Sequence, residues 1–176
     1  LLHNPAGIQP DGNGWVWLDE QVYWTTDQGL TWLEVTPPGL GNAVIRDVKF
    51  SQPGIGHVLW SMKQADGSQE LWISSMILPW GGWEQTPVAR FTPAEAGYDP
   101  ASASMFWLDG ELGWVSVTYR SSSSVSAGAL YRTIDGGGAW MGYTLPVGAD
   151  VVFVSRDLGW VAGGAGGLVP LAIATG

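Results

Sequence analysis

Carboxylates and arginines are the residues of this chain whose types could carry out chemistry. Two carboxylates facing each other across a pocket can hydrolyse a glycosidic bond, and clustered arginines can bind a substrate carboxylate. The chain of 176 residues contains 16 Asp plus Glu, and its arginines are Arg46, Arg90, Arg120, Arg132 and Arg156. These arginines fall on different predicted strands and loops without a recognisable motif. We therefore predict no catalytic residue in this chain.

Metal and phosphate chemistry have equally little support in the sequence. The two histidines, His3 and His57, lie far apart, and there is no cysteine, so the usual zinc ligand sets are missing. The glycine-rich stretches "DGGGAW" (135–140) and "AGGAGG" (162–167) are not followed by a helix, whereas a phosphate cradle depends on a helix N-terminus. We predict neither a metal site nor a cofactor.

The charge balance narrows the class of partner. With 7 Lys plus Arg the formal net charge is −9, which disfavours nucleic acid and anionic membranes because both require a positive surface. No apolar run approaches the roughly 20 residues of a membrane-spanning helix. Few lysines and abundant Trp, Ser and Gly favour an extracellular or cell-surface location.

The elements that must hold these residues are short strands. Runs rich in Val, Trp, Tyr and Thr, such as "GWVWLD" (14–19) and "GWVSVTY" (113–119), alternate with Gly, Pro, Asp and Ser. This pattern is typical of β-strands bounded by turns. Thirteen such runs are present, and no segment has helical periodicity. The fold class is therefore predicted to be all-β.

A repeated unit indicates which all-β architecture this is. A Gly-Trp pair opens a strand at Gly14, Gly113 and Gly159, and "GHVLW" from Gly56 is a weaker copy. Four antiparallel strands per unit of 40 to 57 residues is typical of a β-propeller blade. We predict one propeller segment over 1–176, about three and a half four-stranded blades at 1–37, 43–88, 101–146 and 150–176. Both ends fall inside a blade in this interpretation, so missing blades or self-association would complete the ring.

Two stretches carry a resemblance to a known family. "TTDQGLTW" (25–32) and "TIDGGGAW" (133–140) resemble the Asp-box, or BNR-like, repeat. With the Gly-Trp strands, the units look most like the photosystem II stability and assembly factor family of propellers. The resemblance implies a propeller that acts by binding other proteins. Sialidases and xyloglucanases share the Asp-box, but "ARFTP" (89–93) has the wrong order for the Phe/Tyr-Arg-Ile-Pro motif of sialidases.

The residue types of the two boxes predict a structural role in tight turns. A glycine can adopt positive φ without steric cost, and a short carboxylate can accept hydrogen bonds from free backbone N–H groups. The tryptophan that follows can wedge between blades and bury on the order of 200 Å². A calcium site would need several acidic residues nearby, and none accompanies either aspartate. The predicted structural residues are Thr25, Asp27, Gly29, Thr31, Trp32, Thr133, Asp135, Gly137 and Trp140.

The favoured function is a non-enzymatic binding or scaffolding propeller module, part of a larger secreted or surface protein, with a protein or carbohydrate partner. The alternative is a fragment of a secreted glycoside hydrolase, sialidase-like or xyloglucanase-like, or a carbohydrate-binding propeller. Because scaffolded loops are where propellers carry function, we predict contacts on the face opposite the tight turns. The predicted binding residues are Arg90, Tyr98, Asp99 and Arg120, together with Trp80 as an exposed platform for a sugar ring.

Overall fold

Fifteen strands make up the regular structure of the described residues. The computed structural model describes residues 6–52, 54–77, 81–92, 102–119, 127–145, 148, 150–163 and 167–172, and no helix occurs in these ranges. The strands are β1 (Ala6–Ile8), β2 (Gly14–Leu18), β3 (Gln21–Thr25), β4 (Leu33–Glu34), β5 (Val44–Gln52), β6 (Ile55–Lys63), β7 (Gln69–Ile77), β8 (Glu84–Phe91), β9 (Ser102–Trp107), β10 (Gly113–Tyr119), β11 (Ala127–Thr133), β12 (Met141–Leu145), β13 (Asp150–Phe153), β14 (Leu158–Gly163) and β15 (Gly167–Ala172).

These strands form four antiparallel sheets that follow one another along the chain. The sheets are β1–β4, β5–β8, β9–β12 and β13–β15, and in each the strands are hydrogen-bonded in sequence order. We name them blades one to four. Consecutive four-stranded meanders are the blades of a propeller, with three strands of the fourth in the described part. The prediction of an all-β propeller segment is confirmed.

The sequence pattern did not predict two of the strands, β1 and β8. β1 is only three residues long, and β8 contains Pro87 and the charged residues Glu84 and Arg90. β8 pairs with β7 alone, so it is an edge strand, where proline is tolerated because one row of N–H groups needs no ladder partner. The pairing register shifts between Leu71 and Trp72, where Trp72 faces Pro87. β8 therefore forms a strand despite its loop-like sequence because it lies at the edge of the sheet.

Each pair of neighbouring blades buries an apolar layer between them. Val22 and Trp24 of blade one pack with Val48 and Val58 of blade two. The second layer joins blades two and three, and the third joins blades three and four, where Trp114 is fully buried. Alternate residues of one strand therefore serve different layers, because successive side chains point to opposite faces of a sheet.

An aromatic ring of the first strand explains why glycine recurs at the start of the second strand. In blades two to four the glycine lies opposite a first-strand aromatic residue. A Cβ would lie 2.7 Å from the Phe50 ring at Gly56 and 2.5 Å from the Trp107 ring at Gly113. Only glycine lets the ring lie flat on the neighbouring strand. The same ring then stacks against the preceding blade, as Phe153 of blade four does on Trp114 of blade three with ring centroids 3.9 Å apart.

A buried carboxylate adds a polar contact between the inner strands of blades two and three. Asp47 is 1% exposed, and its Oδ2 atom accepts a hydrogen bond from the backbone N–H of Met105 at 2.8 Å. Asp150 of blade four similarly accepts from the hydroxyl of Ser104 at 2.7 Å. Buried polar atoms of this kind are satisfied only when neighbouring blades keep one register.

Candidate functional site

The β3–β4 turn of blade one is organised around the carboxylate of Asp27. Oδ1 accepts hydrogen bonds from the Thr25 hydroxyl and the Thr31 N–H, both at 2.8 Å, and Oδ2 accepts from the Thr31 hydroxyl at 2.6 Å. The Thr31 hydroxyl bond, followed by the Thr31 N–H and Thr25 hydroxyl bonds, lowers the pKa of Asp27 to about 2. The carboxylate is therefore engaged within its own turn.

The β11–β12 turn of blade three has the same plan with one hydrogen bond fewer. Asp135 accepts from the Thr133 hydroxyl at 2.7 Å and from the Ala139 N–H at 3.0 Å. These bonds, that of Thr133 first, hold the pKa of Asp135 below its ordinary value. Each turn has two successive residues at positive φ, Gln28 with Gly29 and Gly136 with Gly137. The sequence predicted one residue at positive φ in each turn, supplied by a glycine. The second such residue, which in blade one is Gln28 at φ 63°, was not predicted.

The tryptophans that end the two stretches have different environments. Trp140 is half-buried in the layer between blades two and three and meets Trp107 edge to face, with ring centroids 6.1 Å apart. Trp32 is 46% exposed, because no described sheet covers that face of blade one. The expectation that Trp32 is buried between blades is therefore wrong in this chain. Both indoles donate to the turn glycine, Trp32 Nε1 to the Gly29 carbonyl at 3.1 Å and Trp140 Nε1 to the Gly137 carbonyl at 3.2 Å.

A half-open groove of about 350 Å³ lies between blades two and three on the face of these tight turns. The side of blade three is backbone-rich, because Gly110 and Gly136 come from two turns that meet through a hydrogen bond from Gly136 N–H to the Glu111 carbonyl at 2.9 Å. The residues that line the groove are Ile55, His57, Ser75, Met76, Ile77, Gly81, Gly82, Glu84, Gly110, Asp135 and Gly136. We call it the blade 2–3 groove.

His57 lies at the base of this groove in the position that tryptophan takes in the other Gly-Trp units. Its Nδ1 atom is 2.9 Å from the Ser75 hydroxyl, and its Nε2 atom is 3.1 Å from the Ser51 hydroxyl. Burial lowers the pKa of His57 to about 3. An imidazole with so low a pKa is a poor general base for a serine hydroxyl at neutral pH. In a hydrolase triad a carboxylate orients the histidine, whereas here the second imidazole nitrogen meets another serine hydroxyl. The geometry favours binding over acyl transfer.

The rim of the groove combines apolar and acidic side chains. Ile77 is 68% exposed, and Glu84 faces Ser75 across the β7–β8 pair. Asp135 lines the opposite wall, and no Lys or Arg is among the described residues that line the groove. The site can therefore accept an apolar group and a positive charge together.

Arg90 is the one predicted binding residue within the described ranges, and it lies away from this groove. Its Nη2 atom is 2.7 Å from Asp66 and its Nη1 atom is 3.8 Å from Glu70, at the opposite end of blade two. Two carboxylates therefore balance its charge. Tyr98, Asp99, Arg120 and Trp80 lie outside the described residues, so their contact role stays a prediction.

The groove itself was missed by sequence reasoning. Its signal was the exchange of tryptophan for histidine in "GHVLW" (56–60), because a polar ring at a stacking position needs hydrogen-bond partners. Those partners, Ser51 and Ser75, lie on different strands from His57. Within the described ranges, no three His, Cys, Asp or Glu residues are placed to hold a metal ion, and no helix long and apolar enough to cross a membrane occurs.

Comparison with solved structures finds weak similarity. A solved chain described as "YCF48 bound to D1 peptide" matches with 16% sequence identity and a TM-score of 0.39. The match covers 99% of this chain and 66% of that chain, so this chain spans about two thirds of its length. No family model and no curated protein matches the sequence. The four consecutive antiparallel sheets of this chain establish the propeller segment.

Proposed function

We propose that this chain is a protein-binding propeller module that takes an extended segment of a partner in the blade 2–3 groove. The observation that carries the proposal is the pairing of an exposed apolar side chain, Ile77, with the carboxylates of Glu84 and Asp135 around a half-open space of about 350 Å³. Specific sites are commonly concave, mostly apolar and equipped with a few placed polar groups.

The charge of the groove defines the chemistry of the segment. The acidic rim and the net charge of −9 attract a lysine or arginine flanked by apolar residues. The Ser75 hydroxyl, which also contacts His57, adds a hydrogen-bonding group to the wall formed by blade two. We also propose an extracellular or cell-surface location, which is supported only by the amino-acid composition.

Binding of two matched peptides tests this function. Fluorescein-labelled peptides of alternating valine and lysine, and of alternating valine and glutamate, are titrated into the protein and followed by anisotropy. We expect the lysine peptide to bind at least about tenfold more tightly, with an affinity that falls as salt is added. Equal affinity of the two peptides contradicts the proposed charge preference.

Substitutions locate the binding. Ile77→Ser and Glu84→Gln should each weaken the lysine peptide at least about threefold, whereas Glu20→Gln, an exposed acid in the β2–β3 turn, serves as the matched control. If the control weakens binding as much as the groove variants, the site is misplaced.

A glycan array and a glycoside hydrolysis screen on the same protein test the alternative function. Glycan binding or turnover without peptide binding would favour a carbohydrate-active propeller.

A further inference from the structure

The two carboxylate-centred turns differ at one oxygen atom. In the β3–β4 turn, Oδ2 of Asp27 accepts a hydrogen bond from the Thr31 hydroxyl at 2.6 Å. In the β11–β12 turn, Ala139 occupies the position of Thr31 and has no hydroxyl. The hydrogen bonds that Asp135 accepts from the Thr133 hydroxyl and the Ala139 N–H both fall on Oδ1. Oδ2 of Asp135 therefore keeps acceptor capacity that its counterpart in blade one uses within the turn.

Asp135 and Ser75 border the same turn of blade three from the two walls of the blade 2–3 groove. The Asp135 carboxylate lies against Gly138, where a Cβ would be 3.1 Å from Oδ2. The adjacent Gly137 faces blade two, and a Cβ there would be 3.3 Å from the hydroxyl oxygen of Ser75. Both Asp135 and Ser75 line the groove, so each wall presents a side-chain oxygen at this turn.

The hydroxyl of Ser75 can act as an acceptor because of its contact with His57. Burial lowers the pKa of His57 to about 3, so the imidazole is neutral at pH 7. A neutral imidazole has one nitrogen that donates and one that accepts. Ser75 can therefore donate to Nδ1 at 2.9 Å while Nε2–H donates to the Ser51 hydroxyl at 3.1 Å. In this tautomer the lone pairs of the Ser75 oxygen remain for a donor in the groove.

A third acceptor is the carboxylate of Glu84 at the start of the edge strand β8. Glu84 lies opposite Ser75 across the β7–β8 pair, and its side chain is exposed. Among the described residues, no Lys or Arg forms an ion pair with Glu84 or Asp135. Ile77 adds an exposed apolar surface to the same wall. The groove thus combines three oxygen acceptors with a surface for an aliphatic chain.

We propose that Asp135 Oδ2, the Ser75 hydroxyl and the Glu84 carboxylate hold the primary ammonium of a lysine side chain, so that the groove selects lysine over arginine and over methylated lysine. This inference rests on the proposed function and specifies its cation. An ammonium has three N–H donors and no acceptor, which matches one contact to each oxygen. A guanidinium has five donors in one rigid plane, so acceptors on two opposite walls leave some of them unpaired. The lysine methylenes can lie along Ile77.

Three peptides of equal charge test the choice of cation. They are the fluorescein-labelled valine-lysine peptide and two analogues in which arginine or trimethyl-lysine replaces every lysine. Each analogue should bind at least about tenfold more weakly, because hydrogen bonds to charged acceptors are lost. An analogue that binds as tightly as the lysine peptide overturns this inference and leaves the charge preference of the proposed function intact. Equal binding of the lysine and glutamate peptides contradicts the proposed function itself, and this inference with it.

Substitution of Ala139 tests the role of Asp135 Oδ2. Ala139→Thr supplies the hydroxyl that Thr31 gives to Asp27, so it should weaken the lysine peptide at least about threefold without lowering the melting temperature. Ala139→Val is the matched control, because valine has the shape of threonine without the hydroxyl, and its affinity should stay within about twofold of the wild type. Unchanged binding by Ala139→Thr, or equal weakening by Ala139→Val, overturns the role of Oδ2.

A second variant and one spectroscopic measurement test the other contacts. Asp135→Asn keeps an acceptor at Oδ1 and places an NH₂ donor at Oδ2, so it should weaken the lysine peptide at least about tenfold while near-UV circular dichroism is retained. In ¹⁵N NMR of the complete protein saturated with lysine peptide, Nε2 of His57 should carry the proton. Wild-type affinity of Asp135→Asn contradicts the proposal, and a proton on Nδ1 contradicts the acceptor role of Ser75.

Discussion

The imidazole of His57 lies flat on the indole of Trp107, with ring centroids 3.7 Å apart and an interplanar angle of 10°. One ring belongs to blade two and the other to blade three. Both imidazole nitrogens are held by serine hydroxyls of blade two. The stack joins two blades, and its imidazole lines the blade 2–3 groove, so the protonation state of His57 affects stability and the site together.

Stability should decrease between pH 7 and pH 5.5. Burial lowers the pKa of His57 to about 3 from 6.5, so below pH 6.5 the unfolded chain binds a proton that the folded chain does not. The free energy of unfolding should therefore fall by about 1 kcal/mol over this interval. Urea unfolding at both values measures it. His57→Phe, although less stable overall, should lack most of this dependence; an unchanged dependence would assign it to other groups.

Gly113→Ala should destabilise the protein by about 2 kcal/mol, because the added methyl overpacks against the Trp107 ring. A Cβ at Gly113 would lie 2.5 Å from that ring. Gly82→Ala is the matched control, since a Cβ there meets nothing within 4 Å. Melting temperatures of both variants provide the comparison. In the double variant with Trp107→Ile the two losses should be less than additive; full additivity would mean that the ring is not what the methyl meets.

Ala139→Thr should stabilise the β11–β12 turn by about 0.5 kcal/mol. In the β3–β4 turn the hydroxyl of Thr31 donates to Asp27 at 2.6 Å, and Ala139 occupies the equivalent position beside Asp135. Chemical denaturation of Ala139→Thr, alone and combined with Asp135→Ala, gives the coupling between the two positions. A gain that persists without the Asp135 carboxylate would point to a different cause.

Arg90→Ala should change neither stability nor binding of the valine-lysine peptide. Its ion pair with Asp66 joins two side chains that are each 57% exposed, and solvent screens such a pair so that it adds little stability. Arg90 also lies at the opposite end of blade two from the groove. Thermal melting and peptide anisotropy measure the two quantities. Weaker peptide binding by this variant would favour the loop face predicted from the sequence.

The sequence alone was sufficient for the features that depend on neighbouring residues. Strand composition, the recurrence of Gly-Trp and the spacing of Thr25, Asp27 and Gly29 predict a propeller segment with carboxylate-centred turns. The hydrogen bonds of these turns join donors and acceptors only a few residues apart, so the sequence pattern is enough to predict them. The sequence did not predict β8, because a strand tolerates Pro87 only at the edge of a sheet.

Tertiary structure decided the features that join residues far apart in the sequence. Trp32 and Trp140 have the same local sequence role, yet Trp32 is exposed and Trp140 is packed, because a described blade precedes blade three and none precedes blade one. His57 became the base of a groove through a serine on the next strand, and Arg90 became an ion-paired surface residue through Asp66 in the β6–β7 turn. Packing between blades depends on which faces meet, and no local spacing encodes that choice.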